Sequence, residues 1–551
     1  MTDYFELVAD GLQKPPSLAE IENGLEIATR DVANHMGEHR HQSECTKVLM
    51  DRFVYSDSDR CSDKATSLAL GILKIFGRQI NNSLELTSSK AIGALLELAK
   101  QMFQKTTESK ASVDSCEEAL TCVANSMLQR DDCRPRFSQC GGFEVIAEII
   151  QSEKITSTIA FLCGRCLLLA LVSNEDARYL VEELDMPVIL AHAVRMYLDC
   201  ETGRNDDKQR LSEGRFSYQQ VMAELLKAGM SLCVLLQRST SGTAAGNTLD
   251  DSIPEKHVAK FLELLRVSLD VACALPITSQ GHLTDASKQA FSIALNFSTK
   301  RPKAVEDMWL PGAKVGNGDN AGKCDYVYRI YSLFEQLIAH VVSDDSRNAD
   351  IADLVGQYQA ELTPVTLVLL RLVAEHLEIR KQILCRVYPE DTRTVEVEKL
   401  PEERSGISAK LVRLLRIPQG GMLPGAVGDL LLALMSQDVK QFIMAVGYGN
   451  AAGYMLARGI DIPEDVLQQV AGAGADQVPV DPVTGRAFDQ EAVDRELAAM
   501  TDEEKEREAE RLFVLFERLN KTGIIKVENP VRMATQSGRF EEELSDTDDR
   551  P

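Results

Sequence analysis

The chain has 551 residues, of which 44% are hydrophobic and 26% charged, and 84 acidic residues against 60 basic ones give a net charge of -24. That balance leaves ample apolar material for a core and makes a poor partner for phosphate backbones or anionic membranes, which need clustered Lys and Arg. Aromatics are only 5%, with Trp309 the single tryptophan, which disfavours an aromatic-rich sandwich or propeller and favours Leu- and Ala-rich helices.

In chain order, the opening MTDYFELVAD is acidic and has no basic segment followed by an apolar one, so no secretory signal is expected. Ser17 and Glu20 after Pro15-Pro16 read as a capping box in which each side chain satisfies the other's orphan amide. Ile21, Leu25, Ile27 and Val32 follow at roughly helical spacing. His35, Glu38 and His39 match H-x-x-E-H, two imidazoles one helical turn apart with a carboxylate beside them. Gly37 weakens the helix needed to present them, so a solvated helix end is preferred and no metal is expected. Further helices are predicted around 64–77, 88–103 and 113–129.

Thirteen cysteines scattered through apolar helical patterns read as small buried hydrophobes in a reducing compartment. Cys163-Gly-Arg-Cys166 has redox spacing but lies inside an apolar helical run with no βαβ context, so buried structural thiols are expected. The most apolar stretch, 159–172, is interrupted by Arg165 and falls short of the ~20 residues needed to cross a bilayer.

A repeat is visible. Residues 169–181 read LALVSNEDARYLV and residues 432–444 read LALMSQDVKQFIM, an offset of 263 residues. A fainter copy precedes the first, with Phe137 and Gly141-Gly142 between two helices. The offset suggests about six units of about 44 residues, inside the armadillo and HEAT range. Such units have apolar helix faces that only neighbouring units cover. The predicted fold is therefore all-α, an armadillo/HEAT-type right-handed α-solenoid over residues 1–459. Polar or Gly-rich segments at 201–215, 239–252, 312–325 and 390–407 read as inter-helix loops. Residues 460–500 read as an extended linker and 501–523 as an amphipathic helix capped by Thr501 and Glu504. That helix places Leu512, Phe513, Phe516 and Leu519 on one face. Residues 524–551 form an acidic tail expected to be disordered.

Cofactor signatures fail one by one. Gly447-Tyr448-Gly449-Asn450 opens GYGNAAG, which has the wrong spacing for a dinucleotide fingerprint; the glycines are expected to end one helix and Asn450 to cap the next. A P-loop at Gly322-Lys323 would need glycine at 317 and Ser or Thr at 324, where Asn317 and Cys324 stand. Arg518 and Asn529 occupy the first and last ligand positions of an EF-hand-like turn, which rejects calcium. No nucleophile–base arrangement stands out, so no cofactor and no covalent chemistry are expected.

At residues 410–414 (KLVRL), 442–453 (FIMAVGYGNAAG), 482–486 (PVTGR) and 500–516 (MTDEEKEREAERLFVLF) the sequence resembles the synembryn family. The match is strong over roughly the last quarter of the chain and diffuse but collinear over the repeats before it. The resemblance implies a cytosolic, non-receptor guanine-nucleotide exchange factor for heterotrimeric G-protein α subunits (Gα), which also chaperones their folding. It implies a monomeric superhelix whose groove captures the α subunit's C-terminal helix. Expected partners are GDP-bound, nascent and nucleotide-free Gα, with recruitment to the plasma membrane only through Gα. Lys74 and Arg78 fall where the family has basic groove residues, and Asn125 and Asn296 where asparagines face the groove. Arg165 is a further groove candidate, Phe513 and Phe516 are anchors beyond the repeats, and Gly447, Tyr448, Gly449 and Asn450 fix the last repeat. Residues 460–480 contain no Ser or Thr, unlike the phosphorylated segment of animal members. Ser545 and Thr547 in the acidic tail fit an acidophilic kinase instead. The competing reading is an armadillo-type adaptor that binds a helix or peptide without exchange activity.

Overall fold

The computed structural model describes residues 18–34, 42–55, 61–79, 84–105, 109–153, 155–204, 214–238, 253–300, 302–310, 326–343, 348–389, 400–417 and 421–460, with residues 501 and 507 alone beyond them. Serine and threonine set the helix starts. Ser62, Ser88, Ser109, Thr156, Ser173 and Thr284 each accept the backbone N–H three residues on, at 3.1–3.2 Å. Each satisfies an orphan amide, and its loss typically costs about 1 kcal/mol.

Among the described residues every regular element is helical. One row consists of α1 (Leu18–Asn34), α3 (Asp63–Phe76), α5 (Lys110–Gln129), α8 (Ser157–Ala170), α11 (Tyr218–Arg238), α13 (Asp285–Ala294), α16 (Asn348–Glu375) and α19 (Met422–Leu434). Each packs on the one before and the one after. A second row runs beside it: α4 (Ser89–Gln104), α7 (Gly142–Ile150), α10 (Met186–Glu201), α12 (Glu255–Ala274), α15 (Tyr326–Val341), α18 (Ile407–Leu415) and α21 (Tyr448–Arg458). These too touch in succession, and each except α21 packs on the first-row helix that follows it in the chain. Short helices α6 (Cys133–Gln139), α9 (Asn174–Glu182), α14 (Lys303–Trp309), α17 (Leu377–Val387) and α20 (Val439–Val446) precede second-row helices. At the N-terminal end α2 (Gln42–Leu49), continued by a π turn at Met50–Val54, packs against α3. The result is a helical ladder consistent with an α-solenoid, its units covering one another's apolar faces. One continuous apolar core runs from Ile21 to Met455.

The two sequence copies occupy equivalent places. Each closes a first-row helix, α8 or α19, turns, and enters a short helix, α9 or α20. Ser173 caps α9 and Asp438 caps α20. The second copy turns through Ser436 and Gln437, both at positive φ (58° and 64°), so its short helix starts two residues later in the alignment. The expected count of six units between the copies is corrected to four first-row steps, α8 to α11, α13, α16 and α19. The earlier steps, α3 to α5 to α8, keep the shorter spacing. Segments 205–213, 239–252, 311–325 and 390–399, outside the described residues, lengthen the later units at little entropic cost.

Ile27 is 60% exposed, and the buried stripe of α1 is Ile21, Leu25, Ala28 and Val32. α11 is long and apolar enough to cross a membrane, but it packs against α8, α10 and α13 and is mostly buried there. The residues His35, Glu38, His39, Phe513, Phe516, Ser545 and Thr547, and all of the linker and C-terminal helix but residues 460, 501 and 507, lie outside the described residues.

Candidate partner-binding face

The first row carries polar rungs between its helices. At the N-terminal end Ser112 of α5 donates to the Asp63 carboxylate of α3 at 2.8 Å, and Ser115 donates to the Asp63 carbonyl at 3.2 Å. About three turns along α3 from Asp63 and one turn along α5 from Ser115, Lys74 of α3 meets Glu118 of α5, with Nζ 2.6 Å from each carboxylate oxygen. Both side chains are largely withdrawn from water, at 15% and 11% exposure. Asn125, two turns beyond Glu118, donates its amide to the Lys74 carbonyl at 3.3 Å. Gln129 donates to the Arg78 carbonyl at 3.1 Å. The Lys74 carbonyl in the last turn of α3 and the Arg78 carbonyl just beyond it are thus served by α5.

The next rung joins α8 to α11. Gly164 lets the helices close, since a Cβ there would stand 3.2 Å from Leu225 and 3.4 Å from the Glu224 backbone. That approach seats Arg165 against Glu224, Nε to Oε1 2.6 Å, while Lys227 stands 3.3 Å from the other oxygen. Glu224 is 1% exposed and Arg165 37%. The Arg165 guanidinium also lies 5.3 Å from the centroid of the Phe161 ring, a cation–π contact. Between the two rungs, burial raises the Glu117 carboxyl to about 7, and the nearby carboxylates of Asp114 and Glu118 add to the shift against the attraction of Arg215.

Further along, Gln237 of α11 donates to the Asn296 carbonyl at 3.4 Å. The Asn296 amide turns back on its own helix, donating to the Ser292 carbonyl at 2.6 Å. Arg371 of α16 donates to the carbonyls of Leu295 and Phe297 at 2.5 and 3.2 Å. Glu361 of α16 is paired with Lys288 at 3.2 Å and with His282 Nδ1 at 2.9 Å.

Lys74, Asn125 and Arg165 therefore share one row, on three successive helices, and Arg78 follows α3 directly with its side chain exposed. Asn296 lies two steps on from α8, just after α13. The counterions Glu118 and Glu224 were missed in the sequence reading. Their signal is a lone or paired acid inside an apolar helical run, as in CEEALTCVA and VMAELLKAGM, which demands a partner when buried.

At the far end Gly447 joins α20 to α21. Asn450 does not cap α21. It sits in the helix's first turn, and its amide donates backward to the Val446 carbonyl at 2.7 Å and across to Glu402 at 3.0 Å. Glu402 holds Arg416 at 2.8 Å, so Asn450 ties α20, α21 and the segment before α18 together. Tyr448 packs partly buried on the core. Cys163 and Cys166 are fully buried free thiols, and burial pushes Cys166 up to about 12, beyond the range of a reactive thiolate.

A ladder of this kind, with charged rungs along one row, is an all-helical scaffold consistent with the solenoid class. The chain belongs to the Ric8 family, described as guanine nucleotide exchange factor synembryn, whose family model matches residues 69–539. A synembryn-like chaperone of Schizosaccharomyces pombe is 29% identical over 199 residues, covering 34% of this chain and 36% of that protein. The chaperone Ric-8A of Macaca fascicularis is 32% identical over 175 residues, covering 30% of this chain and 32% of its own. That of Gallus gallus is 30% identical over 173 residues, covering 30% and 31%. The chain thus spans about a third of the length of the curated relatives it matches. Among solved structures, an engineered protein aligns over 60% of this chain and 98% of its own at 12% identity, with a TM-score of 0.31.

Proposed function

We propose that this protein is a guanine-nucleotide exchange factor and folding chaperone for heterotrimeric G-protein α subunits, acting in the cytoplasm as a monomer. The observation that carries the reading is the family match across residues 69–539. The named relatives are chaperones, which supports the second half of the role. The ladder's stacked units of two or three helices support an armadillo/HEAT-type superhelix, which we take to be right-handed.

In this mechanism the first row receives the C-terminal helix of Gα, with Lys74, Arg78, Asn125, Arg165 and Asn296 along the contact and Phe513 and Phe516 completing it beyond the repeats. No bond is made or broken. A scaffold that binds the nucleotide-free conformation more tightly than the GDP-bound one shifts the population toward release. The shift equals its differential affinity and no more. The same preference protects a nascent α subunit before nucleotide arrives. Ser545 and Thr547 are the proposed sites of an acidophilic kinase.

The test is GDP release from a purified α subunit with and without the full chain, together with isolation of a nucleotide-free complex. Faster release and a stable complex are expected. Unchanged release with no complex refutes the reading; a complex without faster release favours the adaptor. Truncation after Ala457 is expected to keep helix capture and lose most exchange.

A further inference from the structure

Residues 214–217 (Gly-Arg-Phe-Ser), which lead into α11, lie across the seam between α5 and α8. Gly214 rests on the N-terminal turn of α8 so closely that a Cβ would stand 1.9 Å from Ser157 Oγ and 2.8 Å from the Thr158 nitrogen. The Arg215 amide donates to Thr158 Oγ1 at 2.7 Å. Its guanidinium reaches over α5 to Glu118, 3.6 Å away. The Phe216 ring stacks on Phe161, centroids 3.8 Å apart and planes 13° from parallel.

Two adjacent side chains of this strap therefore touch the partners of two recognition candidates. Glu118 is the counterion of Lys74, and Phe161 is the ring beside the Arg165 guanidinium. A helix laid along the first row from α3 to α11 has to cross the seam where Arg215 and Phe216 stand. The strap is also lightly held. Arg215 is 65% exposed. Across the seam Arg215 and Phe216 make one backbone hydrogen bond, one solvent-facing ion pair and one ring stack, with Phe216 half-buried on the core, whereas Ser217 bonds only to Gln220 and Val221 at the start of α11.

The geometry points to residues 214–217 as an internal gate that covers the α5–α8 seam in the free protein and is displaced when a partner helix is seated. The gate rests on the Gα reading above for the identity of that partner. An exposed ion pair and one aromatic stack together bias a closed state by about tenfold. Apparent affinity falls by the fraction of molecules that are open.

The experiment compares the full-length wild type with Arg215→Ala/Phe216→Ala and, separately, Gly214→Ala. The first removes the two side-chain anchors; the second keeps them and lifts the backbone off α8. Affinity for purified GDP-bound Gα and hydrogen exchange at the Arg215 amide are measured for each, after circular dichroism shows unchanged helix content. Both variants are expected to bind about tenfold more tightly, and the wild-type amide to exchange slowly alone and faster in the complex. Equal or weaker binding by both variants, with binding by the wild type, overturns the gate and leaves the Gα reading intact. Binding by the variants alone supports both. Failure of all three to bind overturns the Gα reading and the gate with it.

Discussion

Glu117→Gln tests the energetics of the first row at a buried carboxyl whose pKa is raised. Glu117 is 8% exposed; Thr156 Oγ1 stands 3.5 Å from its carboxylate, and Arg215 and the Thr158 hydroxyl only partly offset its burial. Burial raises its pKa from an ordinary 4.5 to about 7. Below about pH 4.5 the group is protonated in folded and unfolded chains alike, so it costs nothing. Above about pH 7 it is ionised in both, and the folded chain bears the full cost of the buried charge. Stability from this site is therefore lost as pH rises between those values. A shift from 4.5 to about 7 corresponds to a ceiling of about 3 kcal/mol at 1.36 kcal/mol per unit. Gln keeps the shape and removes the charge. At about pH 8 the opening free energy of the α5 amides, read by hydrogen exchange corrected for intrinsic rates, should rise by up to about 3 kcal/mol. At about pH 5 most of that difference should vanish. A variant that matches the wild type at both pH values, or is weaker at the higher one, refutes the reasoning.

Three further outcomes follow from named contacts. Arg165→Ala strands the carboxylate of Glu224, 1% exposed, with only Lys227 nearby, and should cost about 3 kcal/mol. Glu224→Gln should cost nearer 1 kcal/mol, because the more exposed Arg165 turns to water; equal losses in thermal melts contradict the assignment of the buried partner. In native protein a thiol reagent followed by peptide mass mapping should leave Cys163 and Cys166 untouched while exposed Cys385 reacts; early labelling of Cys166 refutes the burial. Asn450→Ala removes the donor to Val446 and Glu402 and should lower protection around α20 and α21 by about 1 kcal/mol, with α3 and α5 unaffected.

The helices were legible because their signals are local. Ser88, Ser109 and Ser173 announce helix starts, and apolar periodicity carries each element to its end. The repeat at 169–181 and 432–444 also proved to mark equivalent positions. The number of units between them did not follow, because segments such as 239–252 and 311–325 lengthen units without leaving a periodic trace. Side-chain partnerships were the least legible. Lys74 and Glu118 are 44 residues apart in the chain and Arg165 and Glu224 are 59, and nothing local encodes those pairings. Asn450 was misplaced for the opposite reason: a local rule that favours Asn at N-caps lost to Gly447, which takes that position and leaves Asn450 facing Glu402.

The rungs have two separable jobs, and Lys74 shows how to part them. Stacked apolar helices slide easily, whereas a buried ion pair is costly when its partner is out of place, so Lys74–Glu118 fixes how α3 sits on α5. The same ammonium is the proposed contact for a captured helix, yet in the free protein its charge is already answered by Glu118. Recognition through Lys74 thus requires an exchange of partners, and its gain is the difference between two ion pairs. The swap Lys74→Glu/Glu118→Lys keeps a pair at the rung and reverses which helix carries each sign. Because Glu118 also meets Arg215, the swap is made in the Arg215→Ala/Phe216→Ala background; if register is the only role, it should hold stability within about 1 kcal/mol of that background and leave Gα affinity unchanged. If the ammonium at position 74 also meets the captured helix, affinity should fall about tenfold or more at the same stability. An unaltered affinity in a stably folded swap removes Lys74 from the contact and leaves it a rung alone.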